Sequence, residues 1–138
     1  MKRIWFAGLI FSMLALVSVV APAQVKKGKT RLALTKQIMS GLVQPNCAAL
    51  GKGTKEAPAD DKAWESLATS AALLNEASYL LLDDGRCPDA DWANAAKTLR
   101  EGSAAVLAKL EAKDTAGAAA EFKTMTQACG ACHKAHKK

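Results

Sequence analysis

From residue 60 to residue 136 apolar side chains recur at every third or fourth position, the period of a helix that buries one face. After Pro58 the stripe is Trp64, Leu67, Ala71, Leu74 and Leu81, with Ser78 on the same face. After Pro88 it is Trp92, Ala96, Leu99, Val106 and Leu110, and after Asp114 it is Ala118, Phe122, Met125, Cys129, Cys132 and His136. An earlier segment offers Leu34, Ile38, Met39 and Leu42. Breaks fall at Gly51 to Pro58, at Asp83 to Pro88, and at Lys113-Asp114, and no run alternates β-branched with polar residues. Four helical segments of similar length with short links predict an all-α, antiparallel four-helix bundle. Asp60 or Asp61 is expected to cap the second helix, with Glu65 closing a capping box, and Asp114 to cap the fourth. Trp64, Trp92 and Phe122 read as core packing, with any role beside a cofactor secondary.

The first 23 residues follow a different pattern. Lys2 and Arg3 precede an apolar run from Ile4 to Val20 that closes on Ala21-Pro22-Ala23, the layout of a secretory signal with a small-residue cleavage site. Export therefore places residues 24–138 as one domain in the periplasm or outside the cell, with no membrane attachment after cleavage. An uncleaved anchor is the alternative, against which Gly8, Ser12 and Ser18 dilute the run.

The formal net charge is +6, of which Lys2 and Arg3 account for two. The one dense basic cluster, Lys134, Lys137 and Lys138, has no aromatic residues among it on which bases could stack, so nucleic acid is not an expected partner. Those lysines suit a helix C-terminus and are compatible with docking an acidic redox partner. No hydrolytic triad, paired-carboxylate motif or phosphate loop is present, and the chain is not expected to be an enzyme.

Chemistry concentrates at Cys129-Gly130-Ala131-Cys132-His133, which has the spacing for covalent attachment of one haem c. Two thiols at i and i+3 lie along one side of a helix and can add to the haem vinyl groups, while the next residue supplies the imidazole that ligates iron. A bare metal site is the rival reading, since Cys129, Cys132, His133 and His136 fall on one face, although four ligands from one straight helix cannot easily surround a tetrahedral ion.

These features together resemble the class II cytochromes c, the group that contains cytochrome c prime. The similarity runs over the whole exported domain and is closest from Arg86-Cys87-Pro88 through Trp92 and at Cys129 to His133. His136 and Lys137 stand where the family commonly has an aromatic and a basic residue. The resemblance implies a periplasmic electron carrier with a redox partner protein, or a binder of small diatomic gases, and a homodimer pairing through the first two helices.

Ligand counting narrows the iron's surroundings. Both histidines sit on the fourth helix, so bis-histidine ligation within one chain is excluded. Only five residues follow His133, so a downstream methionine is excluded as well. Met125 precedes Cys129 by about one turn, on the proximal side, which leaves Met39 on the first helix. Two readings of Met39 stand: distal ligand, or core filler in an apolar distal face of Leu34, Ile38 or Met39 that admits neutral diatomics. Lys36 is a weaker distal candidate because it would have to be neutral and buried. Arg31 is a candidate partner for a haem propionate. Cys47 and Cys87 are expected either to pair in a disulfide or, one or both of them, to stay buried thiols. Simple bundle geometry puts them roughly 30 Å apart unless Pro45 breaks the first helix.

Overall fold

The computed structural model describes residues 27–137, so the expected export segment lies outside the described residues. Four helices account for most of them. Helix α1 spans 35–53 in three continuous stretches, α-helical Thr35–Ile38, π-helical Met39–Val43 and α-helical Gln44–Gly53. Helices α2 (Asp61–Leu82), α3 (Ala90–Glu111) and α4 (Thr115–His136) follow, and an all-α four-helix bundle results. Among the described residues no helix is long and apolar enough to cross a membrane.

Pro45 does not break α1. Its ring nitrogen cannot donate to the carbonyl four residues back, and the chain adapts by widening the preceding turn, where the Gln44 N–H reaches the Met39 carbonyl five residues earlier. Helix starts obey local chemistry. Asp60, Asp89 and Asp114 each accept a hydrogen bond from the amide three residues on, at 2.8, 2.9 and 2.8 Å. With Asp60 as cap, Glu65 lies two residues too far along to close the expected capping box. Helix α3 ends in a tight reversal in which Lys113 takes φ 55°, its N–H reaching Leu110 O while Asp114 N–H reaches Lys109 O.

The core follows the predicted stripes. Leu67, Ala71, Leu74, Ala77 and Leu81 of α2 meet Trp92, Ala96, Leu99, Val106 and Leu110 of α3 and Ala118 and Met125 of α4. Helices α3 and α4 cross at Gly102, where an added Cβ would come within 2.7 Å of the Met125 side chain. Helix α1 rests mainly on α2, burying Ile38, Val43 and Leu50, and makes its closest approach to α4 through its last stretch. There Gly51 faces the Phe122 ring.

The leading strap, residues 27–34, is tied to the α2–α3 turn by a polar knot. Asp84, at φ 60°, accepts from Thr30 N and Oγ1 and from Arg31 N at 2.8 to 2.9 Å. The wholly buried Arg86 donates to the Ala33 carbonyl at 2.8 Å and lies 3.6 Å from Asp84. Burial pushes the Asp84 carboxyl up, but the bonds from Arg31 and Thr30 and the Arg86 charge outweigh it and hold the group below its ordinary 3.8.

Candidate functional site

Because α1 closes on α4 near Gly51 and Phe122 but stands away from it toward the other end, a cavity of about 530 Å³ opens between α1, α3 and α4. That is within the roughly 300–1,000 Å³ in which proteins hold cofactor-sized molecules. Thr126, Cys129, Cys132, His133 and His136 of α4, with Lys137 just past its end, line one wall. Trp92, Ala95, Ala96 and Leu99 line a second, with Leu81 of α2 beside them. Between the indole and Leu99 the α3 wall carries only the small side chains of Ala95 and Ala96.

The third wall departs from expectation. Of the predicted apolar face, Met39 alone lines the cavity: Ile38 turns into the core at 5% exposure, and Leu34 lies off the cavity as the residue that starts α1. Helix α1 instead presents Lys36, Ser40, Gln44 and Cys47, together with Thr35 and Val43. Lys36, Ser40, Gln44 and Cys47 follow one another at helical spacing, one face round from Leu34 and Ile38, so the cavity wall is more polar than the predicted stripe.

Cys129, Cys132, His133 and Met39 therefore open into one space, whereas Arg31 does not. Arg31 is exposed, with its N–H on Asp84 and its carbonyl toward Arg86, and the cations that do line the cavity are Lys36 and Lys137. Lys36 is exposed to solvent. His133 is also largely exposed, while both motif sulfurs are half-buried. Burial pushes the Cys129 thiol up, against a smaller opposing effect of its backbone hydrogen bond, and pushes Cys132 up with help from Cys129 and Asp89. Both are neutral thiols at ordinary pH.

Trp92 has two tasks. Its indole N–H donates to the Leu81 carbonyl at 2.8 Å, fixing the ring in the core, and the residue also lines the cavity. His136 stacks edge-on against it with centroids 5.3 Å apart. The His136 Nε2 is shielded from water and makes no hydrogen bond, with the Asp89 carboxylate 3.5 Å away, within ion-pair distance. Among the described residues no three His, Cys, Asp or Glu side chains converge in a way that could hold a metal ion.

All four cysteines are free. Cys87 lies in the α2–α3 turn with its thiol on the Asp89 carbonyl, while Cys47 faces the cavity. The expected alternatives for these two, a disulfide or one or both as buried thiols, do not include a place for Cys47 in the same space as the motif. The signal was present: Ser40, Gln44 and Cys47 fall at i, i+4 and i+7 from one another on one helical face. Compared with protein-family models and with curated proteins, the chain matches none.

Proposed function

We propose that this chain is an exported c-type haem protein with one haem bound through Cys129 and Cys132 and ligated by His133. One observation carries the reading: two sulfurs and an imidazole with the attachment spacing open into a single cavity of about 530 Å³ whose α3 wall is apolar. Half-buried neutral thiols suit addition across a vinyl bond, in which each sulfur bonds to carbon and the thiol proton passes to the neighbouring carbon. Trp92, Ala95, Ala96 and Leu99 would exclude water from the ring, and Lys36 and Lys137 are placed to meet anionic propionates. When bound, the haem supplies a one-electron couple and an open or weakly ligated iron position. The rival reading, a bare metal site on Cys129, Cys132, His133 and His136, is disfavoured by the lack of a converging ligand set among the described residues.

The exported protein, purified from cells with a working attachment system, is expected to start at Gln24, to weigh one haem more than its polypeptide and to stain for haem peroxidase after denaturing electrophoresis. An unstained band of polypeptide mass ends the reading. Electron transfer and gas binding divide on Met39, which packs against the core from the α1 wall. Packing accounts for Met39 without a bond to iron and favours a five-coordinate iron. Met39→Leu is then expected to leave a high-spin reduced spectrum unchanged. A low-spin native spectrum that this substitution abolishes would make the protein a six-coordinate electron carrier.

A further inference from the structure

Cys47 is the one thiol in the cavity that the attachment motif does not use. Helix α1 runs antiparallel to α4, and Gly51 is level with Phe122. Cys47 lies four residues before Gly51, and Cys129 lies seven after Phe122, in the same direction along the bundle. At 1.5 Å per residue their axial offset is about 4.5 Å. Cys132 is a further turn away. Cys47 and Cys129 both line the same space, from facing walls. Burial and then the nearby Cys129 push the Cys47 thiol up to about 11, in keeping with two thiols that sense one another.

We propose that in the haem-free chain Cys47 and Cys129 form a reversible disulfide that closes α1 onto α4 and withholds Cys129 from haem attachment. The second half of this statement rests on the haem reading above; the bond itself does not. Its formation balances by exchange with a low-molecular-weight disulfide. One thiolate attacks the small disulfide and releases one small thiol. The second then attacks the mixed disulfide, forming the S–S bond and releasing another, so that two protein thiols are oxidised and one disulfide is reduced to two thiols. A dithiol reverses it. The bond spans most of the chain, so it restricts the unfolded ensemble far more than a Cys129–Cys132 bridge within one turn.

The test uses the full haem-free chain in buffers of oxidised and reduced glutathione, quenched with acid, alkylated, digested and mapped by mass spectrometry. Trypsin puts Cys47 in peptide 37–52 and Cys129 in peptide 124–134, so the bridge joins those two, and Cys132→Ser identifies Cys129 as the partner. The bridged species is expected to dominate under oxidising conditions in native buffer, to survive Cys87→Ser and Cys132→Ser, to vanish in Cys47→Ser, and to give way to Cys129–Cys132 in urea. Oxidised chain presented to haem is expected to attach it several-fold more slowly than reduced chain, and Cys47→Ser is expected to remove the difference. A native oxidised chain that carries Cys129–Cys132, Cys47–Cys87 or free thiols overturns the bond, whatever the chain does with haem. A Cys47–Cys129 bridge in a chain that never takes haem when reduced leaves the bond standing, overturns the withholding role and overturns the haem reading with it.

Discussion

The α3–α4 interface and the α1–α4 interface use the same kind of helix against the same partner and reach opposite results. At Gly102 the α3 backbone comes so close to Met125 that no Cβ fits between them, and the interface is sealed. Helix α1 touches α4 beside Phe122 and then stands off, its π-helical turn and Pro45 bending the register while a polar knot holds its leading strap to the α2–α3 turn. Close packing makes one interface stable, and its relaxation makes the other a cavity. The stability of the bundle is thus concentrated in α2, α3 and α4, and the chemistry lies where that packing is given up.

The largest contrast is expected from truncating one apolar side chain on each side. Leu74 is wholly buried between the packed helices, and Leu74→Ala should cost about 3 kcal/mol through lost burial and the cavity left behind. Met39 already borders a space, so Met39→Ala should cost only about 1 kcal/mol. Urea unfolding of both variants checks this, and equal losses would mean that the α1 side is as tightly packed as the rest.

Adding bulk reverses the test. Gly102→Ala should destabilise by about 1 kcal/mol, the clash with Met125 exceeding the gain in helix propensity. Ala95→Leu, on the same helix but facing the cavity, should leave the unfolding midpoint almost unchanged while sharply lowering haem incorporation. Stability lost at Ala95 with incorporation intact would argue that the cavity closes in solution.

The smallest effect concerns the strap. Asp84 is held below its ordinary value in the folded chain, so its contribution is fully present above pH 3.8 and is lost as the pH falls through the lowered folded value. Amide exchange at Thr30 and Arg31, whose N–H groups bond to Asp84, should accelerate over that acid range, and Asp84→Asn should flatten the dependence. Identical acid profiles for the native chain and Asp84→Asn would show that another carboxylate controls the strap.

Much of this architecture was legible beforehand because helices advertise themselves locally. Stripes such as Leu67, Ala71, Leu74 and Leu81 need only a period, and Asp89 and Asp114 act on amides three residues away. The attachment motif is local in the same sense, five residues within little more than one turn. What escaped was whatever depended on two distant segments meeting. Arg31 read as a cation free to find a propionate, yet its backbone is engaged by Asp84 and Arg86, some fifty residues away. The apolar stripe of α1 suggests a distal face of Leu34, Ile38 and Met39, yet α1 turns Ile38 into the core and presents Lys36, Ser40 and Gln44 beside Met39, because the packing of α1 on α2 sets which face is left over.

By itself, then, the order of residues determined four helices, the aspartate caps and buried faces of α2, α3 and α4, and the spacing of Cys129, Cys132 and His133, since each is set by forces acting within a few residues. Tertiary structure alone decided that α1 parts from α4, that Cys47 lines the cavity shared with Cys129 while Cys87 sits apart in the α2–α3 turn, and that Trp92 serves core and cavity together. Those outcomes follow from which surfaces exclude water against one another. That balance is struck between segments far apart in the chain, where no local period or motif records it.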